Sequence, residues 1–338
     1  MKILICQLKS HGDIVRTFPT IDAIKHYNPE AEIALTCIHG YENVASLCRH
    51  IDEVIPQPTL KAVENHRNHS RIGDVEPLRQ VATTVAAKRF DYYLDMHGVF
   101  QSSLFGALVG IPVRIGRSFH TTKDGADLFY THVSEITNKR INKMERNLLT
   151  AQSYFRHIHY VPTKPYLRRK PNRVTIVPGS STVGIQKRWP AEHYRELIQA
   201  LSNNYLVDVL FGPEERLLVD EIELSTLGAN VHGQMVDNWQ GYFECFTYSC
   251  FVIGNDNAAL HIAIWQGVKT FSLFGPTDAV ISSTWKYNAG KGITSHHACR
   301  CKSPWQGFCE HEKICMQSLL PQQVLREITE YNLQEQST

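Results

Sequence analysis

The stretch Cys250–Thr277 reads CFVIGNDNAALHIAIWQGVKTFSLFGPT. Two short apolar runs, Phe251-Val252-Ile253 and Thr270 to Phe274, are rich in β-branched and aromatic residues, the composition of a buried parallel strand. Asn255-Asp256-Asn257 between them is a helix-start signal, and Ala258 to Gln266 is a helical run. Gly267 ends that helix, and Gly275-Pro276-Thr277 ends the second strand. The stretch is therefore a βαβ unit. The mouth of its helix offers free backbone N–H groups to an anion. His261, five residues after Asp256, can turn back toward that mouth. Taken alone, a capping Asp256 and a packing His261 are the simpler account.

The same alternation extends toward the N-terminus. Val174 to Val177 predicts a strand, Pro178-Gly179-Ser180-Ser181 a turn, and Ala191 to Leu201 a helix. Leu206 to Phe211, Gly212-Pro213 and Glu214 to Ser225 repeat the pattern. Lys187-Arg188-Trp189-Pro190 precedes the helix at Ala191. Lys187 can offer a mobile positive charge to a phosphate, and Trp189-Pro190 can lock the helix entry. Glu215, just past a strand, reads equally as a ribose hydrogen-bond acceptor and as a helix-start glutamate. Tyr160 to Asn172, with three prolines and Arg168-Arg169-Lys170, reads as an interdomain linker.

A second series lies before that linker. Lys2 to Leu8 is an apolar strand, Lys9 to Asp13 a polar turn, and Ile14 to His26 a helical run interrupted by Pro19. Further strands are expected at Ile33 to Cys37, Val54-Ile55 and Tyr92 to Asp95. Helices are expected at Tyr41 to Cys48, Glu76 to Arg89 and Gln101 to Val109. The fold class is α/β, with two doubly wound parallel sheets. Expected domains are residues 1–165 and 172–320, followed by a C-terminal helix and tail at 321–338. Ligands of such sheets bind at the carboxyl ends of the strands, so Asp13 stands in ligand territory, as a helix cap or as a general base. Two basic stretches, His66 to Arg71 and Arg114 to Lys123, read as loops suited to an acidic partner.

Composition bounds the function. The chain has 338 residues, 43% of them hydrophobic and 20% charged, which fits a globular protein of two domains. A net charge of +2 argues against a dedicated nucleic-acid binder. No stretch approaches the ~20 apolar residues of a membrane span, and the N-terminus lacks a signal peptide, so a cytoplasmic location is expected. No GxGxxG and no GxxxxGK[ST] follows a first strand, which weakens dehydrogenase and nucleoside-triphosphatase readings. Nine cysteines in a reducing compartment are expected as thiols or metal ligands. Cys299, Cys301, Cys309 and Cys315 have the number, though not the paired CxxC spacing, of a tetrahedral Zn or Fe site.

Taken together, these motifs resemble glycosyltransferase family nine, the bacterial lipopolysaccharide heptosyltransferases. Gly12-Asp13 with Thr17-Phe18-Pro19 is similar to that family's opening. Tyr93 to Gly98 with Ser102-Ser103, Arg114-Ile115-Gly116 and Glu145-Arg146-Asn147 resemble its next elements. Pro178-Gly179-Ser180, Lys187 to Pro190, Asp256 to His261 and Phe274 to Asp278 resemble its C-terminal blocks. The family's Asp-Thr-Gly turn is replaced here by Asp256-Asn257-Ala258, which leaves donor identity open. The resemblance implies GT-B architecture, two Rossmann-like domains facing across a cleft, and an inverting transfer from an ADP-sugar, usually ADP-L-glycero-D-manno-heptose. It implies Asp13 as base and Lys187 as stabiliser of the leaving diphosphate, with no cofactor for catalysis. Ser180, Lys187, Glu215, Asp256, Asn257, Ala258 and His261 would hold the donor. Ser10, His11, Gly12, Arg67, Arg71, Arg114 and Arg117 would face an anionic inner-core lipopolysaccharide acceptor, with peripheral contact at the inner membrane. The cysteine cluster is similar to that of heptosyltransferase-II-like members and would be structural. Another donor, a protein acceptor such as an autotransporter, a sugar-nucleotide epimerase, or a non-catalytic sugar-nucleotide binder remain alternatives. A base at Asp13 would be of no use to a mere binder.

Overall fold

The computed structural model describes residues 1–338 except 61, 65–69, 73–74, 163–167, 298, 300–308, 310 and 337–338. Contacts divide the chain into two units, Met1–Val161 and Pro162–Thr338.

In the first unit, β1 (Lys2–Cys6) leads into α1 (His11–Val15) and α2 (Phe18–Tyr27). Pro19 sits in the first turn of α2, where its missing N–H costs nothing, so the run expected from Ile14 to His26 is two helices rather than one kinked helix. The chain continues through β2 (Glu32–Ile38), a 3₁₀ turn at Glu42–Leu47 and β3 (Glu53–Gln57). An antiparallel hairpin follows, β4 (Ala62–Glu64) and β5 (Ser70–Ile72). Then come α3 (Glu76–Ala86), β6 (Tyr92–Asp95), α4 (Phe100–Val109), β7 (Val113–Arg117), β8 (His132–Ser134) and α5 (Lys143–Gln152). The main sheet runs β3-β2-β1-β6-β7-β8, and every pairing in it is parallel. Helices cover both faces, so Ile3, Leu4, Ile5 and Cys6 of β1 are fully buried. Each such aliphatic side chain contributes about 1.5–3 kcal/mol by leaving water. The stretch expected as a basic loop from Arg114 begins inside β7. Val113-Arg114-Ile115 alternates as an edge-proximal strand does, and the loop starts only after Arg117.

The second unit repeats the plan. Its elements are β9 (Arg173–Val177), a 3₁₀ turn at Thr182–Lys187, α6 (Ala191–Ser202), β10 (Leu206–Phe211), α7 (Arg216–Ile222), β11 (Val231–Met235) and α8 (Trp239–Thr247). These are followed by β12 (Phe251–Asn255), α9 (Ala258–Trp265), β13 (Lys269–Phe274), α10 (Ala279–Ser282), β14 (Gly290–Thr294), α11 (Ile314–Gln317) and α12 (Pro321–Gln336). The sheet runs β11-β10-β9-β12-β13-β14, again all parallel. Both sheets thus have the doubly wound order in which strand sequence reverses beside the first strand. The βαβ unit read from Cys250–Thr277 is β12-α9-β13. Helix α9 is apolar on all sides and buried from Ala259 to Trp265, as a central covering helix must be. Val324 and Ile328 of α12 belong to the second unit's core.

Candidate active site

Each sheet reverses at one point, β1 beside β6 in the first unit and β9 beside β12 in the second. Loops at such a point diverge and leave a crevice at the carboxyl ends of the strands. In the first unit a cavity of about 220 Å³ lies there, lined by the residue groups Gln7, Asp13 and Arg16, Met96 to Val99, Arg117, Thr121 and Lys123, and Lys143, Arg146 and Asn147. Asp13, third residue of α1, projects toward it. Its carboxylate Oδ1 accepts from Arg16 Nη1 at 2.6 Å and from Lys143 Nζ at 2.8 Å. Burial raises its pKa, but Lys143 and Arg16 outweigh that and hold the carboxyl below the usual range.

The cavity is strongly electropositive. Arg16, Arg117, Lys123, Lys143 and Arg146 face a single carboxylate among its lining residues. Burial lowers the pKa of Lys143 and of Arg117, and brings Arg146 down to about 9. Arg117 Nε and Arg146 Nε are buried and find no hydrogen-bond partner among the described residues. A buried cationic donor without an acceptor is costly, and an anionic ligand relieves that cost. His97 also lines the cavity. Burial holds its pKa down to about 4 against the pull of Asp95 and Asp13, so the ring is neutral near pH 7.

The turn carrying His97 is fixed from beneath. Asp95, fully buried at the end of β6, accepts from the N–H groups of His97 and Gly98, each at 2.9 Å. It also accepts from Ser102 Oγ and Tyr130 Oη, each at 2.7 Å. Arg117 donates to Met96 O at 2.8 Å and to His97 O at 2.9 Å. Gly98 has φ +75°, and a Cβ there would lie 2.4 Å from Arg117 Nη2, so only glycine fits.

The other acceptor-side candidates lie as follows. Gly12 is buried in α1 beside Asp13, and Ser10 is its exposed N-cap residue. His11 packs on Tyr41, with ring centroids 4.8 Å apart, and does not line the cavity. Arg114 donates to Phe129 O and Ile111 O, each at 2.7 Å, and so ties loops rather than lining the cavity. Arg67 lies outside the described residues, and so does the Arg71 side chain, although its backbone pairs in β5.

In the second unit the crevice is built by Pro178 to Ser180 after β9 and Asp256-Asn257 after β12. Lys187 Nζ donates to Asp256 O at 2.9 Å and reaches Asp256 Oδ2 at 3.3 Å. His261 Nε2 lies 3.3 Å from Asp256 Oδ1. Lys187, Asp256 and His261 are all buried, so Lys187 is a pinned cation where the sequence suggested a mobile one. The helix N-cap is Asn257, whose Oδ1 accepts from Leu260 N at 3.0 Å; Asp256 stands one residue earlier. Asn257 Nδ2 donates to Gly179 O at 2.9 Å, and Asn255 Nδ2 to Pro178 O at 2.6 Å, which ties the two crevice loops together. Glu215 is buried against Gly179. Burial raises its pKa, opposed by a hydrogen bond from Gly212 N at 2.7 Å. A Cβ on Gly179 would lie 1.7 Å from Glu215 Oε1, so the glycine makes room for the carboxylate. Ser180 is buried, and its carbonyl accepts from Arg188 Nη2 at 3.0 Å. Ala258 is the first residue of α9.

Of the cysteine cluster, Cys301 lies outside the described residues. The Cys315 thiol is pushed up to about 12 by burial and by Cys299 and Cys309, and it shares a hydrogen bond with Cys299.

Sequence reasoning did not single out Arg16, His97 or Lys143. Arg16 could be found at i+3 from Asp13 on one helix, where side chains are neighbours. Lys143 comes from 130 residues away and leaves no local signal.

Two Rossmann-like units, each with its polar site at the point of strand reversal, are the architecture of the GT-B class. The chain belongs to glycosyltransferase family 9 (heptosyltransferase), whose profile matches residues 78–304. Lipopolysaccharide heptosyltransferase 1 of Escherichia coli strain K12 is 22% identical over 295 residues, covering 82% of this chain and 89% of that protein. The structure of E. coli heptosyltransferase WaaC with ADP superposes with a TM-score of 0.72 at 19% identity, covering 98% of each chain. The iron-containing dodecameric glycosyltransferase TibC from enterotoxigenic E. coli gives 0.54 at 10% identity, covering 98% of this chain and 76% of that one.

Proposed function

We propose that this glycosyltransferase moves heptose from ADP-L-glycero-D-manno-heptose to an anionic inner-core lipopolysaccharide acceptor, with inversion at the anomeric carbon. The observation that carries the reading is the cavity around Asp13, with five cationic side chains against one carboxylate and two buried arginine Nε groups awaiting acceptors. Family membership and the name of the E. coli relative support heptose and lipopolysaccharide as the substrate classes.

In this mechanism the acceptor's anionic groups dock on Arg117, Arg146 and Lys123. Asp13 takes the proton of the attacking hydroxyl as the new C–O bond forms. The bond from the anomeric carbon to the diphosphate breaks, and ADP leaves with its electron pair. The hydroxyl becomes far more acidic as its oxygen bonds to carbon, so a weakly basic carboxylate serves. Lys187 and the N-terminus of α9 stabilise the charge growing on the leaving diphosphate. Asp256 positions Lys187 and His261, and Glu215 accepts from the donor ribose. No cofactor takes part. Cys299, Cys301, Cys309 and Cys315 would hold a structural iron or zinc, a reading supported by the hydrogen bond between Cys315 and Cys299 and by the iron of TibC. The enzyme works at the cytoplasmic face of the inner membrane, where Phe119 and Leu128, 68% and 81% exposed, are suited to a lipid surface.

Incubation with ADP-heptose and a Kdo-bearing lipid acceptor, followed by mass spectrometry, tests the reading. Addition of one heptose to the acceptor is expected. Hydrolysis or isomerisation of the donor without transfer would overturn it.

A further inference from the structure

A second cluster lies in the first unit, away from the cavity and unused by the transfer reaction. Asp22 is on the buried face of α2, while Cys48 and His50 follow the 3₁₀ turn at Glu42–Leu47. Asp22 Oδ1 is 2.8 Å from His50 Nδ1 and 3.9 Å from Cys48 Sγ, and one donor atom from each of the three residues lies within 4.8 Å of the others. We infer that Asp22, Cys48 and His50 form a zinc site that clips α2 to the segment after the 3₁₀ turn.

Geometry and chemistry agree. Zinc bonds of about 2.3 Å to sulfur and about 2.0 Å to nitrogen and oxygen, arranged tetrahedrally, place N and O about 3.3 Å apart and S and O about 3.5 Å apart. The observed 2.8 Å and 3.9 Å bracket these, so the two pairs made by Asp22 adjust by about half an ångström, and the Cys48–His50 pair, within 4.8 Å, closes toward about 3.5 Å. Thiolate, imidazole and carboxylate together favour zinc over calcium or magnesium. Asp22 and Cys48 are buried, whereas the His50 side chain is 25% exposed, which leaves an entry path and room for water as a fourth ligand. Binding releases the Cys48 thiol proton to solvent. The His50 proton moves from Nδ1 to Nε2, and Arg49, which now donates to Nε2 at 3.3 Å, swings into solvent. The inference does not rest on the transferase reading.

The test uses full-length protein stripped with a chelator and titrated with Co²⁺, read by its thiolate charge-transfer and d–d bands, then back-titrated with Zn²⁺. Cys299→Ser, Cys301→Ser and Cys309→Ser together remove three of the four thiolates of the other cysteine cluster, and this variant serves as the parent once circular dichroism shows the fold of the unaltered protein. The parent should take up one equivalent of Co²⁺ with tetrahedral bands showing a single thiolate. Losing a ligand should weaken binding by more than about tenfold, since changes merely behind ligands cost 10–100-fold. Cys48→Ser should abolish the charge-transfer band, and His50→Gln should keep a folded protein but lower affinity. A parent without tetrahedral bands, or unchanged affinity in His50→Gln, would overturn the assignment. Should Cys48→Ser not fold, the partly exposed His50→Gln decides alone.

Discussion

Asp13→Asn separates chemistry from architecture in the first unit. The substitution keeps shape and removes charge and basicity. Its structural cost follows from the two ion pairs, at 2.6 Å to Arg16 and 2.8 Å to Lys143. With side chains 7% exposed at Arg16, 25% at Asp13 and 27% at Lys143, the pairs lie between surface bridges, at about 1 kcal/mol or less each, and the 3–5 kcal/mol of a broken buried pair. Folding stability should therefore drop by about 1–2 kcal/mol. The chemical cost is larger. A positioned base contributes about 10²–10⁴-fold, which is about 2.7–5.4 kcal/mol of barrier. The assay is kcat and donor KM with ADP-heptose at saturating acceptor, beside thermal unfolding of the same preparation. We expect kcat to fall by about 10²–10⁴-fold, with donor KM nearly unchanged and the protein folded. A folded Asp13→Asn enzyme with near-normal kcat would refute the reasoning and pass the role to neutral His97, the cavity's other proton acceptor.

Three further outcomes follow from the two crevices. Lys187→Ala should raise donor KM and lower kcat/KM together, and cost about 3 kcal/mol in urea unfolding because buried Asp256 loses its cation; unchanged donor affinity and stability would remove Lys187 from the site. Gly179→Ala should displace the Glu215 carboxylate that fills the same space, so donor KM should rise while acceptor KM stays constant in steady-state kinetics. His97 has a folded pKa of about 4, below its unfolded value of about 6.5, so the unfolded chain binds the proton first as pH falls. Its neutral burial should thus erode stability between about pH 6.5 and 4, and His97→Gln should flatten that part of the pH–stability curve measured by denaturant unfolding.

Much of the fold could be read from the chain because central strands of a covered parallel sheet must be apolar. β1, β6, β9, β10, β12 and β13 all appear as short runs of such residues. The edge strands β8, β11 and β14 did not, because His132-Val133-Ser134, Val231 to Met235 and Gly290 to Thr294 have little to bury and carry polar residues or glycine. The turn after β1 was legible at Gly12-Asp13, and the turn after β12 at Asp256. What surrounds those carboxylates was not. Arg117 was read as a loop cation but is buried under the His97 turn, and Lys143 reaches Asp13 through tertiary packing alone. Pinning of Lys187 was likewise invisible, because its partner lies 69 residues away.

The distance between Asp13 and Lys143 also orders events in time. Asp13 is made before α5, which carries Lys143 and Arg146 and is the last helix among the described residues of its unit. At about 5–20 residues per second, a separation of 130 residues takes about 6.5–26 s to emerge. During that interval the nascent chain holds its carboxylate and Arg16 but neither α5 cation. The anion cavity comes into being only when α5 docks against α2, so this half of the enzyme is inert on the ribosome until its own final helix is in place.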